Sequence, residues 1–279
     1  MTEDPVVDDT LVTLDSYDGP PRPDARELFA AARVLDKEMS FARPRTFRTP
    51  SATSTIEVRT GLYRWSVRTA DRTRLAGVIT MRPGTAARVL DLVVAPEYRS
   101  TGVATAAVEA ALDENVFDAR QGLDRIVAGA YGSHPAALRL ARRFGAITLG
   151  ERHHMVLPSA SVYRRPDDRK LHGREHDDRW AVLGESLTDE IVDGVGSVDF
   201  TRLSSRVHTP ADVHAAITEL FVAGAASVIA IVDARDDALI DILRSAAFGH
   251  DRTDTLLGFD SPESIAQPDI TDSDLRTLP

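Results

Sequence analysis

The segment Leu90-Asp91-Leu92-Val93-Val94-Ala95-Pro96-Glu97-Tyr98-Arg99-Ser100-Thr101-Gly102-Val103-Ala104 constrains the fold of this chain more than any other stretch. An apolar run ends on a proline, which has no N–H to give to a sheet, so a strand stops there. After a short turn, Val103, Ala107, Val108, Ala111 and Leu112 recur at helical spacing and predict a helix over 103–117. The first turn of that helix leaves N–H groups unpaired at the positive end of its dipole, an arrangement that suits a pyrophosphate. Gly102 lets an anion approach the backbone closely, and Ala104 keeps the next turn uncluttered. Arg99 can add charge-assisted contacts. On these residues alone, a plain strand-to-helix connection with a surface arginine is an equal alternative.

The surroundings narrow the choice. Residues 1–23 are acidic and proline-bearing, with a possible strand at 11–14. Asp24 and Glu27 form a capping-box-like start, and Leu28, Ala32, Leu35 and Met39 follow at helical spacing. Residues 41–54 lack a period and read as a loop. Apolar runs at 62–67, 75–81 and 89–95, separated by turn residues, predict an antiparallel meander. Beyond the helix at 103, a strand is predicted at 125–131. A helix then starts at Pro135, with Leu138, Ala141 and Phe144 inward and Gly145 at its end, before a last strand at 152–157.

Residues 159–180 carry mixed charge without period and read as a linker between a domain at 1–158 and a smaller one at 181–262. The smaller part repeats the order helix, strand, helix, strand: a helix from Pro210 with Val213, Ala216, Ile217, Leu220 and Phe221 inward, a strand at 228–232, a helix at 236–247 and a strand at 255–259. The spacing is close to that of 103–157, which suggests an internal repeat of pattern.

Composition excludes several kinds of chemistry. The chain has 279 residues and no cysteine, so disulfides, thiolate metal sites and a cysteine nucleophile are ruled out. Its net charge of −10 speaks against a broad nucleic-acid face and mildly favours a cationic small molecule. No apolar run is long enough to span a membrane, and the acidic N-terminus does not resemble a signal peptide. A cytoplasmic location is the expectation, with no metal, no nucleic acid and no membrane partner; the oligomeric state stays open.

The stretch 90–112 resembles the acetyl-CoA signature of the GNAT superfamily of N-acetyltransferases, with Val94-Ala95-Pro96 at the strand end and Arg99 to Ala104 as the Arg-x-x-Gly-x-Ala loop. The resemblance extends over 24–157. It implies an α+β fold: a mixed, mostly antiparallel sheet flanked by helices, followed by a partial second half of the same type. It implies acetyl-CoA as cosubstrate and a small-molecule amine as acceptor. The cofactor would be bound by Leu92, Val93 and Val94 through their backbone, by Arg99, Ser100, Thr101, Gly102, Val103 and Ala104, and by His134. In this family two parallel strands splay to admit the pantetheine arm, here 89–95 and 125–131.

The sequence also departs from the family. Where many members carry a tyrosine on the helix after the fifth strand, this chain has Ala141, and Leu243 stands near the equivalent place in the second half. The stretch before helix 210 has no glycine, and Pro210 deletes an N–H where phosphate would sit. The second half therefore reads as degenerate and structural. Asp91 and Tyr131 are the catalytic candidates, although a strand carboxylate more often faces solvent and a strand-end tyrosine is more often simply half-buried. Glu151 is expected to open the last strand. His153 and His154 should point to opposite faces, so they cannot pair on a metal. A non-catalytic acyl-CoA-binding module is the alternative reading.

Overall fold

The computed structural model describes residues 12–36, 53–61, 73–83, 87–113, 125–165, 191, 193–201 and 209–259. Its strands are β1 (Thr13–Asp18), β2 (Ser54–Gly61), β3 (Thr73–Pro83), β4 (Arg88–Val94), β5 (Ile126–Ala130), β6 (Ile147–Leu157), β7 (Val195–Asp199), β8 (Ser227–Asp233) and β9 (Gly249–Phe259). The helices are α1 (Pro23–Asp36), α2 (Val103–Asp113), α3 (Pro135–Arg143), α4 (Pro210–Val222) and α5 (Asp237–Ser245). All nine strands join one sheet in the order β1-β2-β3-β4-β5-β9-β6-β8-β7. Only β4–β5 and β7–β8 are parallel; the other neighbours are antiparallel. The fold is thus a mixed, mostly antiparallel sheet flanked by helices.

The last strand does not lie where chain order would put it. β9 inserts between β5 and β6, and the β6–β9 ladder is two-fold symmetric. Ile147↔Gly258 is mirrored by Gly249↔Val156, Thr148↔Leu257 by His250↔Met155, Gly150↔Leu256 by Arg252↔His154, and Glu151↔Thr255 by Thr253↔His153. Arg152↔Asp254 stands at the centre and mirrors itself. Outward from that pair, β5 runs beside β9 as β8 runs beside β6.

The cores follow the same exchange. Met155 and Leu157 of β6 pack with Val213, Ile217 and Leu220 of α4 and with Leu239 and Leu243 of α5. Phe259 of β9 packs with Val103, Ala107 and Ala111 of α2, and Leu257 with Ala141 of α3. Each stretch buries its apolar surface on a strand supplied by the other. Helix α1 lies on the opposite face of the sheet, where Ala25 and Leu28 meet Val78 and Val93.

Several elements differ from the sequence reading. The strand after the first loop is β2 at Ser54–Gly61, whereas 62–72 falls outside the described residues. It escapes detection because both of its faces are buried, Ile56 and Val58 on one and Thr55 and Glu57 on the other. Glu57 is accommodated there by Tyr17, whose hydroxyl donates to it at 3.0 Å, and by Arg59. Strands β6 and β9 begin at Ile147 and Gly249, well before the predicted 152 and 255. The polar stretches Glu151–His154 of β6 and His250–Thr255 of β9 surround the two-fold centre, where charges pair with one another. Glu151 accordingly sits within β6 rather than at its start. β7 is short and carries Gly196, Ser197 and Asp199, so it leaves no apolar signal. Leu35, expected inward, is 50% exposed, and the core face of α1 ends at Ala32. Met39 and most of the linker 159–180 lie outside the described residues.

Candidate functional site

The phosphate-cradle candidate is built where β4 runs into α2. A tight turn at Pro96–Tyr98 follows the strand, and Arg99, Ser100, Thr101 and Gly102 are all exposed. Gly102 has φ 90°, a left-handed backbone that glycine tolerates without cost. Ser100, at φ 63°, holds the same conformation without that freedom. Thr101 Oγ1 donates to the carbonyl of Tyr98 at 2.6 Å, and Arg99 Nε to that of Val94 at 3.5 Å. The helical ladder starts with Ala106 N donating to Gly102 O. The N–H groups from Gly102 to Thr105 therefore belong to the open first turn, next to an exposed guanidinium. These residues fit a pyrophosphate.

The β4–β5 pair opens beside this turn. Its ladder consists of Arg88↔Ile126, Val89↔Val127 and Leu90↔Ala128, yet β4 continues to Val94 and β5 to Ala130. On its other side β4 stays paired with β3 as far as Gly77↔Val94. The β5-facing edge of Leu92, Val93 and Val94 thus lies beyond the point where the strands part. An extended arm of CoA fits there by strand addition.

Both catalytic candidates fall on one face of the sheet. Val89 and Val127 pack together, so by alternation Asp91 and Gly129 share their face. The ring of Tyr131 folds back over Gly129: a Cβ at that glycine would sit 2.5 Å from the ring's Cζ and hydroxyl. Only glycine permits this placement. Asp91 is not the solvent-facing carboxylate that strand statistics favour; it is 7% exposed and ion-paired with Arg82 at 3.2 Å. His134, exposed at the head of α3, accepts the Ala136 N–H at its Nδ1 and so caps the helix.

The same face carries a group that the sequence did not assemble. Two residues beyond Leu256, which pairs with Gly129, Asp254 is fully buried. Arg152 Nε and Nη2 donate to its Oδ2 at 3.2 and 3.1 Å, and His154 Nε2 lies 2.8 Å from the same oxygen. Arg252 Nε is 3.4 Å from Oδ1, which also accepts the Gly132 N–H at 2.9 Å. Burial, the largest influence on Asp254, pushes its carboxyl up. The hydrogen bond from His154 and the guanidiniums of Arg252 and Arg152 outweigh it and hold the carboxyl well below the usual carboxylate range. Burial pushes His154 down from its ordinary value, so the imidazole is neutral and donates through Nε2. His153, on the other face, bonds the Thr253 hydroxyl at 2.8 Å and meets the ring of His250 edge-on. The polar residues were visible in the sequence; their meeting required the insertion of β9.

The first turn of α4 differs from that of α2. Thr209 Oγ1 accepts the Asp212 N–H at 3.1 Å, while the Asp212 carboxylate accepts the Thr209 N–H at 2.9 Å. This capping box fills the turn and places a negative charge where a phosphate would need to sit. Among the described residues no group of three His, Cys, Asp or Glu is placed to hold a metal, and no helix is long and apolar enough to cross a membrane.

No curated protein matches the chain. Among solved structures the chain is similar to a GCN5-related N-acetyltransferase from Sphaerobacter thermophilus, at 13% identity and TM-score 0.49 over 88% of this chain and 95% of that one. It is also similar to spermidine N-acetyltransferase from Vibrio cholerae in complex with CoA and spermine, at 16% identity and TM-score 0.36 over 50% and 83%. The ribosomal-protein-S18-alanine N-acetyltransferase from Escherichia coli gives 16% and 0.33 over 50% and 81%. Likeness at this level is no guide to the acceptor. Residues 32–146, which contain the cradle, the splayed strands and α3, match the acetyltransferase (GNAT) family.

Proposed function

We propose that the protein is an N-acetyltransferase that moves an acetyl group from acetyl-CoA to an amine of a small molecule. The observation that carries this reading is the pairing of an open helix turn at Gly102 with a β4–β5 ladder that stops at Leu90↔Ala128. Arg99, Ser100, Thr101, Gly102, Val103 and Ala104 would hold the pyrophosphate, and the backbone of Leu92 to Val94 the pantetheine arm. Attack by the amine nitrogen forms the C–N bond and breaks the C–S bond; the ammonium proton goes to a base and the thiolate receives one. Asp91 suits the first task and the Tyr131 hydroxyl the second, since both lie on the face beside the opening. A backbone N–H of β4 would stabilise the oxyanion.

We read residues 1–158 as the acetyl-CoA-binding domain and 181–262 as a degenerate half that kept the element order and lost the cradle. The segments 91–96 and 130–136 resemble those of mycothiol synthase, a tandem member of the superfamily, so a mycothiol precursor belongs in the panel. A cytoplasmic location fits the cosubstrate. One feature favours the alternative of a non-catalytic acyl-CoA-binding module: Ala141, where many relatives carry tyrosine, is packed against Ala130 and Leu257. A CoA-release assay across small amines, polyamines and a mycothiol precursor, with calorimetry on acetyl-CoA alongside, tests the reading. Binding without turnover on any amine would leave the binding module; no binding would sink both.

A further inference from the structure

The turn that ends β5 is strained, and it is gripped from outside its own half. Tyr131–Ser133 forms one 3-10 turn in which Gly132 has φ 65° and Ser133, a non-glycine, φ 45°. Two successive left-handed residues persist only when the surroundings over-determine them. Here one strand supplies three of the contacts that hold them. Asp254 Oδ1 accepts the Gly132 N–H at 2.9 Å, the Thr253 carbonyl accepts the Ser133 hydroxyl at 3.0 Å, and Thr255 Oγ1 lies 2.9 Å from that hydroxyl. All three partners belong to β9. Asp254 is itself fixed by Arg152, Arg252 and His154 at the two-fold centre of the sheet.

We propose that Asp254 is a positioning residue of the transferase site, and that β9 completes that site from the C-terminal half. The turn it holds carries Tyr131 at one end and leads into His134 at the other. Releasing it would free the Tyr131 ring from its place over Gly129 and loosen the start of α3. The acyl and pantetheine end of the cosubstrate would lose its wall, while the pyrophosphate cradle at 99–104, on the far side of the β4–β5 opening, would be unaffected. The C-terminal half thus serves the chemistry without binding a cosubstrate of its own.

This inference rests on the acetyl-CoA reading, and the test separates the two. Calorimetry on the full chain would compare acetyl-CoA with 3′-phosphoadenosine 5′-diphosphate, the part of CoA that lacks the pantetheine arm. For Asp254→Ala and for Ser133→Ala the expected result is an acetyl-CoA affinity about tenfold weaker, with the nucleotide fragment bound within twofold of wild type. Asp254→Asn, which keeps an oxygen for Gly132, should retain most of the acetyl-CoA affinity. Should Asp254→Ala fail to fold, Ser133→Ala and Thr255→Val carry the test, since both spare the buried charges. Equal affinity for acetyl-CoA in wild type and Ser133→Ala would overturn the proposal, as would parallel loss of both ligands. A wild-type chain that binds neither ligand would refute the acetyl-CoA reading itself.

Discussion

Replacing Arg152 by methionine tests the charge cluster at the centre of the sheet directly. Arg152 is 1% exposed and Asp254 fully buried, so neither can turn to water when its partner is removed. Breaking a buried pair from one side costs about 3–5 kcal/mol, because a charge is left uncompensated. Arg152→Met leaves Asp254 with His154, Gly132 and Arg252, which puts its cost at the low end, about 3 kcal/mol. Asp254→Leu takes a carboxylate away from two guanidiniums, from His154 and from the Gly132 N–H, which puts it at the high end, about 5 kcal/mol. In the double variant two apolar side chains of similar bulk face each other. What remains is a Gly132 N–H and a His154 N–H that have lost their acceptor, each worth about 1–3 kcal/mol, and an Arg252 that has lost this carboxylate. The double variant should therefore lose at least about 2 kcal/mol less than the sum of the singles, a coupling typical of residues in one network. Urea unfolding followed by circular dichroism measures all three, with comparisons limited to variants of unchanged denaturant slope. A cost for Arg152→Met under 1 kcal/mol, or additivity within 0.5 kcal/mol, would refute the account of this pair as a buried, mutually dependent one.

The other predictions concern the cradle, pH and the shared sheet. Gly102→Asp should abolish acetyl-CoA binding in calorimetry while leaving the melting temperature within a few degrees, because it sets a charge against the pyrophosphate on an exposed turn; normal binding would displace the cradle. Arg99→Ala should weaken binding by about 1.5 kcal/mol, the low end for a charged hydrogen bond, since the side chain is exposed. Stability should fall as pH drops. With its folded-state value depressed, His154 loses stability for the fold progressively as pH falls from its unfolded value of about 6.5 toward that lower value, and Asp254 does so only at much lower pH. The melting temperature should thus decline between pH 7 and 5, and His154→Gln should flatten that decline; an unchanged slope would remove His154 as its source. Deleting 181–279 should give an aggregating fragment, since it strips β9 from between β5 and β6; a soluble, stable 1–160 fragment would contradict the exchange of strands.

The helices and the turn at the head of α2 were legible because their signals are local. Val103, Ala107 and Ala111 mark α2 by spacing alone, and Gly102 marks its head by the backbone freedom it provides. Pro210 and Asp212 likewise announce a capped helix with no room for phosphate. Strands with two buried faces carry no such mark. In β2, Glu57 interrupts any apolar run, and Tyr17, Arg22 and Arg59, distant or alternating in sequence, make its burial tolerable. The middle of β6 reads Glu151-Arg152-His153-His154, which looks like a solvated stretch until Asp254 and Thr253 stand opposite it. Charge in a sequence signals solvent unless its partner is known, and here the partner lies about a hundred residues away.

That separation explains why the second half reads from its sequence as structural, with no part in the chemistry. Judged on its own residues, it has a filled helix turn at Thr209–Asp212 and Leu243 in place of a proton donor, so no chemistry can be assigned to it. Judged by register, its last strand supplies the neighbour that β5 needs along Ile126 to Ala130 and all three polar groups that hold Gly132 and Ser133. A strand exchanged between two halves makes their stabilities inseparable, because each apolar core contains the other's final strand. It also makes loss of function in one half tolerable: the second half can shed its cradle freely, whereas shedding Asp254 takes a carboxylate away from the buried Arg152 and the half-buried Arg252. The constraint on the degenerate half should therefore concentrate in β9 and in the helices that fix its register, and relax at the head of α4.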